Sequence, residues 1–176
     1  MAPDTRLVHG TCVVVGGCGV LIHGPSGSGK SDLALRLIDQ PGRGTGAQAL
    51  TARLVADDQV AITRRDNRLF AAAPPRLAGL LEVRGLGIVR LDHAPEAEVG
   101  LAVRLADANS IERLPEKEAQ LVLLDVAVPE IAVDAAAASA PARVRAGVVE
   151  SLPKGRRPAP WAQEQNDSGF PLPFTI

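Results

Sequence analysis

The sequence predicts an α/β domain that is largely a β sheet with flanking helices. Apolar segments of strand length recur along the chain, whereas only two segments show helical spacing of their apolar residues. A glycine-rich loop stands between the first strands and the first helix. The regular alternation of strands and helices seen in most nucleotide-binding folds is not found, so we expect most of the domain to be sheet.

The composition indicates one domain with an aliphatic core. The chain has 176 residues, which suffices for one domain and is short for two. Hydrophobic residues make up 46% and aromatic residues only 2%, so leucine, valine, isoleucine and alanine must fill the core. We expect the domain to cover residues 1–152. Residues 153–176 are polar and proline-rich, and we expect them to be poorly ordered or to pack as an extended arm.

Charge and hydropathy argue against several function classes. A formal net charge of −1 disfavours nonspecific binding to nucleic acid or anionic membranes, both of which need a basic surface. No apolar run is long enough to cross a bilayer and the N-terminus shows no targeting pattern, so we expect a cytoplasmic protein. Cys12 and Cys18 flank a predicted tight turn and could face each other, and we expect them to be reduced, half-buried thiols.

The first elements surround the glycine-rich loop. Thr11–Val15 and a second β-rich run at 18–22 predict a hairpin closed by a two-residue glycine turn. Residues 31–39 carry apolar side chains at helical spacing and are followed by Pro41-Gly42, which predicts a short helix that ends there. A glycine-rich loop at 40–48 follows.

The rest of the chain continues in short pieces. Strand-like segments occur at 49–56, 60–63, 69–73, 80–83, 87–91, 99–105 and 121–126. An alanine-rich segment at 135–152, with Val144, Val148 and Leu152 at helical spacing, predicts the last long helix.

The loop between the hairpin and the first helix fits the phosphate-loop pattern G-x-x-x-x-G-K-[ST]. Its residues are Gly24, Pro25, Ser26, Gly27, Ser28, Gly29, Lys30 and Ser31. Glycines let successive backbone N–H groups point at phosphate oxygens, and the helix start adds its positive end to the same place. Lys30 is then placed to reach the β- and γ-phosphates, and Ser31 offers a hydroxyl to Mg²⁺. A glycine-rich hairpin turn is the alternative interpretation.

An acidic pair follows one of the predicted strands. Asp57 and Asp58 come after an apolar run, which places them at the carboxyl end of a strand, where ligands bind in α/β sheets. Because adjacent strand residues point to opposite faces, we expect one carboxylate at Mg²⁺ and the other at an acceptor hydroxyl. The alternative is an exposed acidic turn between strands.

Two further positions are candidates on weaker grounds. His9 stands just before the hairpin, where it is either a proton-exchanging or phosphate-binding residue or an ordinary surface histidine. Glu82 and Arg84 alternate along a strand-like segment before two glycines, so Glu82 either reaches a metal or is a solvated charge like its neighbour.

In their order and spacing these motifs together resemble the catalytic domain of HPr kinase/phosphorylase, over about residues 7–150. The resemblance implies a phosphate-loop fold similar to phosphoenolpyruvate carboxykinase. It also implies an ATP- and Mg²⁺-dependent kinase that phosphorylates a serine of HPr, the small phosphocarrier protein of sugar-phosphotransferase systems. Many members of the family also remove that phosphate by phosphorolysis, and the family assembles as hexamers, so we expect a homo-oligomer.

Carried over by position, the resemblance assigns roles to the candidate residues. It implies that His9 is an active-site histidine, that Lys30 binds phosphate, and that Ser31 and Glu82 hold Mg²⁺. Asp58 matches the general base that takes the serine proton. Asp57 is its close rival.

Other segments match the family less well. Arg113 is a loose match to the basic residue that completes the family's site. Residues 141–145 resemble the flexible loop linked to dephosphorylation, without its usual glycine and asparagine. The chain begins almost at the histidine motif, so we expect a short form without the regulatory N-terminal domain, and phosphorylase activity and allosteric control stay open.

We interpret the chain as a protein-serine kinase acting on an HPr-like phosphocarrier. Two alternatives belong to other classes. One is a catalytically silent nucleotide sensor that binds a regulator, which would not need both aspartates and Glu82. The other is a small-molecule kinase of similar fold.

Overall fold

The computed structural model describes residues 4–115 and 118–151, and both Leu152 and the predicted tail at 153–176 lie outside these described residues. The elements, in chain order, are β1 Thr5–His9, β2 Thr11–Val15, β3 Cys18–His23, α1 Lys30–Asp39, β4 Ala52–Ala56, β5 Gln59–Arg65, β6 Arg68–Ala72, β7 Leu80–Val83, β8 Gly87–Arg90, β9 Ala97–Leu105, β10 Ala119–Leu123, β11 Val126–Val133 and α2 Ala140–Ser151. Short 3₁₀ turns lie at Pro75–Leu77 and Ala108–Ser110. None of the described helices has the length and hydropathy needed to span a membrane.

Nine of the described strands form one mixed sheet. Its order is β1-β5-β6-β9-β3-β2-β4, and β11, with β10 beside it, also pairs with β9. β9 is the central strand: it runs parallel to β3 and β11 and pairs with β6 at its first residues. β7 and β8 form a separate antiparallel hairpin. The predicted sheet-dominated α/β fold is confirmed.

Both faces of the central strands are buried, which explains their unbroken apolar sequence. Side chains alternate between the faces, so Val13 and Ile22 pack against α1 and α2 while Val14 and Leu21 pack against β5 and β6. The same alternation separates the two cysteines. Cys12 and Cys18 are buried thiols in opposite core clusters, so they do not face each other across the turn.

The predicted hairpin and first helix are confirmed. β2 and β3 pair antiparallel from Thr11 to Cys18, and Gly16 and Gly17 form the turn. α1 buries Leu33, Ala34 and Leu37 against the sheet, as expected from the spacing of its apolar residues. This connection from strand to helix places the glycine-rich loop at the carboxyl end of β3.

Two strand predictions differ from the structure. The sequence does not predict β1, because it is a mostly exposed strand without apolar alternation; within the described part of the chain it pairs along β5. The segment 121–126 forms two strands, since a tight turn at Leu124 and Asp125 reverses the chain. Both turn residues have positive φ, 49° and 59°, and neither is the glycine that would indicate such a turn in the sequence.

The last helix begins later than predicted. Residues 134–139 form turns, in which the Asp134 carboxylate accepts the N–H of Ala136, and α2 starts at Ala140. The segment 141–145, which resembles a flexible loop, forms the first turns of this helix. Arg145 is buried there, so it points into the protein rather than into solvent.

Candidate active site

The phosphate loop, residues 24–31, links the end of β3 to the start of α1. Gly27 and Gly29 have φ values of 75° and 94°, a left-handed conformation that other residues rarely adopt. No side chain caps the start of α1. The first N–H groups of the helix therefore remain available to a ligand at its positive end.

Two observations show that the loop leaves room and an unused hydroxyl for a ligand. A Cβ added to Gly27 would meet no atom within 4 Å, so the loop opens onto free space. Ser28 Oγ is buried and has no hydrogen-bond partner among the described residues. A buried hydroxyl without a partner is costly, and phosphate oxygens would satisfy it.

Lys30 lies against the loop that precedes it. Its Nζ donates hydrogen bonds to the carbonyl oxygens of Gly24, at 3.1 Å, and Pro25, at 2.8 Å. Burial lowers the pKa of Lys30 below its ordinary value, and the negative charges of Asp57 and Asp58 oppose that shift. The ammonium is thus held by carbonyl oxygens of the loop, and no carboxylate of the described residues forms an ion pair with it.

Asp57 joins three parts of the chain. It is only 6% exposed, and its carboxylate accepts hydrogen bonds from Ser31 Oγ at 2.9 Å, Thr11 Oγ1 at 2.7 Å and the Glu82 N–H at 3.2 Å. These donors come from α1, β2 and β7. The carboxylate fixes the Ser31 hydroxyl at the mouth of the loop.

Asp58 lies in a different environment from its neighbour. Its φ of 65° turns the chain between β4 and β5, and its side chain is 68% exposed. His9 Nδ1 lies 3.3 Å from Asp58 Oδ1 and 3.1 Å from the Asp58 carbonyl oxygen. Of the two carboxylates of the pair, that of Asp57 is therefore buried and that of Asp58 lies at the surface.

An open cavity of about 570 Å³ connects these groups. The predicted site residues that line it are His9, Ser26, Gly27, Ser28, Gly29, Lys30, Ser31, Asp57, Asp58 and Glu82. Gly24 and Pro25, the first two residues of the loop, do not line the cavity, and their carbonyl oxygens accept hydrogen bonds from Lys30. Arg113 does not line the cavity; it is exposed, shortly after the second 3₁₀ turn.

Thr11 is a site residue that the sequence analysis missed. Its hydroxyl is fully buried, lines the cavity and donates to Asp57. The sequence indicates this role only weakly, through a polar residue at the first position of a strand whose other residues are apolar and buried.

The described residues contain no cluster of three or more His, Cys, Asp or Glu side chains that could hold a metal ion. Mg²⁺ needs no such cluster, because it binds through one or two protein oxygens together with substrate phosphates and water. The Ser31 hydroxyl and the Glu82 carboxylate at the cavity supply donors of that kind.

Comparison with known proteins identifies the family of this chain. The family model described as "HPr Serine kinase C-terminal domain" matches residues 1–154. The chain is 37% identical over 141 residues to HPr kinase/phosphorylase of Lacticaseibacillus casei strain BL23, a match that covers 74% of this chain and 41% of that protein. It is 49% identical over 89 residues to HPr kinase/phosphorylase of Clostridium tetani, covering 51% of this chain and 26% of that protein.

A solved structure also matches. The Hpr(Ser) kinase/phosphatase from Coxiella burnetii superposes with a TM-score of 0.67 at 25% identity, over 82% of this chain and 95% of that one. The chain spans about two fifths of the length of the Lacticaseibacillus relative. The family match nevertheless extends over most of the sequence, and we conclude that this chain belongs to the HPr serine kinase C-terminal domain family.

Proposed function

We propose that this protein is a cytoplasmic, ATP- and Mg²⁺-dependent kinase that phosphorylates a serine of an HPr-like phosphocarrier protein. The observation that carries the proposal is the division of the acidic pair. Asp57 holds the Ser31 hydroxyl at the phosphate loop, while Asp58, the next residue, stays exposed at the cavity. Phosphoryl transfer needs one carboxylate at each of these places.

The loop and its neighbours would hold the nucleotide. The N–H groups at the start of α1 and the Lys30 ammonium are the donors for phosphate oxygens. Ser31 and Glu82 would hold Mg²⁺, which when bound neutralises charge on the phosphates. Asp57 keeps the Ser31 oxygen in place through its 2.9 Å hydrogen bond.

Asp58 is the better candidate for the general base. A base has to meet the acceptor hydroxyl at the open side of the cavity, and the Asp58 side chain is exposed there with His9 beside it. Asp57 is buried and already accepts hydrogen bonds from two hydroxyls and one amide. We therefore assign Asp57 to positioning and Asp58 to proton transfer.

The surface beside the cavity supports a protein acceptor rather than a free metabolite. Leu86 and Ile88 of the β7–β8 hairpin are 78% and 72% exposed. Ile88 lies directly across the hairpin from Glu82, which lines the cavity, so apolar surface adjoins the proposed reaction site. A small-molecule kinase has no need of exposed leucine and isoleucine at this position.

The substitution Asp58→Asn tests the assignment of the base. Asparagine tolerates the left-handed backbone at this position and keeps the side-chain shape, so the fold should be unchanged. We expect the rate of phosphoryl transfer to HPr to fall by about 10²- to 10⁴-fold, with nucleotide affinity retained. Rates come from labelled ATP in single-turnover assays, and affinity comes from calorimetry.

Transfer at the parental rate by the Asp58→Asn variant would contradict this role. Label on a serine of HPr, but not on free metabolites, separates the protein kinase from the small-molecule kinase. ATP binding without any transfer would instead favour the silent sensor.

Two further experiments address the other family properties. Adding inorganic phosphate to labelled HPr tests phosphorolysis through pyrophosphate release. Sedimentation measures whether the protein is a homo-oligomer, for which the family's hexamer is the expected size.

A further inference from the structure

The cavity has more acidic than basic side chains. Asp32, Asp57, Asp58 and Glu82 line it, whereas its only lysine or arginine side chains among the described residues are Lys30 and Arg84. A nucleoside triphosphate adds about four negative charges. One divalent ion and Lys30 offset about three of them, so a second side-chain cation is expected near the terminal phosphate.

Arg84 lies where such a cation is needed. The Glu82 N–H is bonded to the carboxylate of Asp57, which also binds Ser31 Oγ, so β7 is tied to the phosphate loop. Arg84 follows Glu82 by two residues and lies directly after the last residue of β7, in the turn that closes the β7–β8 hairpin. Both residues line the cavity.

The guanidinium of Arg84 is available for a ligand. Within the described part of the chain it makes no ion pair and no side-chain hydrogen bond, in contrast to Arg90 on the same hairpin, which donates to the Ala78 carbonyl oxygen. A planar guanidinium with five N–H donors suits the oxygens of a phosphate group.

We propose that Arg84 binds the terminal phosphate of the nucleoside triphosphate and stabilises the charge that develops there during transfer. Lys30 then approaches the phosphates from the loop and Arg84 from the hairpin, two elements that Asp57 connects. This inference rests on the proposed function for the identity of the ligand. It goes beyond the family resemblance, which gave Arg113 as a loose match to the basic residue that completes the family's site.

The test compares the binding of a non-hydrolysable triphosphate analogue with the binding of the diphosphate, both measured by calorimetry with Mg²⁺. We expect Arg84→Gln to weaken triphosphate binding by about tenfold to a hundredfold, the range of a charged hydrogen bond, and to change diphosphate binding much less. Arg84→Lys keeps the charge but loses the planar fork, so its affinity for the triphosphate should lie between that of the parent and that of Arg84→Gln. Arg90→Gln is the matched control and should bind both ligands as the parent does.

Three results would overturn the inference. Arg84→Gln could bind both nucleotides as well as Arg90→Gln does, or it could lose affinity for both equally. Alternatively, Arg113→Gln could show the triphosphate-specific loss while Arg84→Gln does not. Failure of the parent protein to bind any nucleotide would instead remove the proposed function itself, so the two failures are distinguishable.

Discussion

At the scale of single residues, two adjacent carboxylates differ because of what surrounds them. Asp57 is buried among hydroxyl and amide donors, whereas Asp58 lies at the surface beside His9. The left-handed backbone at Asp58 produces this difference, since it turns the second side chain away from the interior. A neighbouring pair of like residues thus supplies one positioning group and one exposed group.

The ammonium of Lys30 should make nucleotide affinity depend on pH. Burial lowers its pKa, so the ammonium loses its proton at a lower pH than an exposed lysine does. Phosphate binding favours the charged form. We expect nucleotide affinity, measured by calorimetry between pH 7 and pH 10, to fall as the pH rises through the lowered pKa of Lys30.

The variant Lys30→Met is the control for this dependence. It keeps the buried aliphatic stem and removes the charge, so nucleotide affinity should fall by about tenfold or more at pH 7. The further fall of affinity between pH 7 and pH 10 should then be mostly lost. The sign for stability is opposite: between the lowered and ordinary pKa values the unfolded chain binds more protons, so this group's contribution to stability rises with pH. An unchanged alkaline slope in the variant would contradict the role of Lys30.

At the scale of elements, a buried arginine connects the two helices. Arg145 of α2 donates to the carbonyl oxygens of Leu50, at 3.1 Å, and of Leu37, at 2.9 Å, and also to that of Gln40. Two of these carbonyls are at the C-terminal end of α1, where a cation is favoured by the helix dipole. Burial lowers the pKa of Arg145 below its ordinary value, and the hydrogen bonds to these carbonyls hold the guanidinium in place.

Removing this guanidinium should destabilise the domain. Arg145→Met removes a charged donor from three carbonyl oxygens, of which that of Leu50 keeps the Gly42 N–H, and we expect the free energy of unfolding to fall by about 2 kcal/mol or more. Arg143→Met, an exposed position on the same helix, is the matched control and should change it by about 0.5 kcal/mol or less. Denaturant titration followed by circular dichroism measures both, and equal effects would contradict this role.

The β7–β8 hairpin gives a second prediction at this scale. Replacing both Leu86 and Ile88 by serine removes exposed apolar surface beside Glu82 without touching the phosphate loop. We expect the KM for HPr to rise by about tenfold and nucleotide affinity to stay unchanged. Val122→Ser, at an exposed position on β10, is the control and should leave both quantities unchanged. A loss of nucleotide affinity in the hairpin variant would contradict the prediction that this surface contacts HPr and not the nucleotide.

At the scale of the whole molecule, the sheet is covered on both faces, and this buries both cysteines. Cys12 is 0% and Cys18 is 5% exposed, and burial raises the pKa of Cys12 above its usual range. Thiol reagents attack the thiolate, so neither residue should react with a disulfide reagent at neutral pH while the protein is folded. Both should react rapidly in denaturant, and fast labelling of the native protein would show that the sheet opens.

The sequence by itself determined the features that depend on short stretches of chain. The phosphate loop, the glycine hairpin, the α1 helix and the family follow from motifs of a few residues, because turn geometry and helical periodicity are local properties. The sheet-dominated architecture could also be predicted, since each apolar segment of strand length can be recognised from its own residues.

Only the tertiary structure decided how distant residues meet. Thr11, Ser31 and Glu82 come from three different elements, and their donors converge on Asp57 because β2, α1 and β7 pack together there. The same is true of Arg145, whose carbonyl partners are about a hundred residues away in sequence. Such contacts arise from satisfying buried polar groups after the chain has folded, and no local spacing in the sequence encodes them.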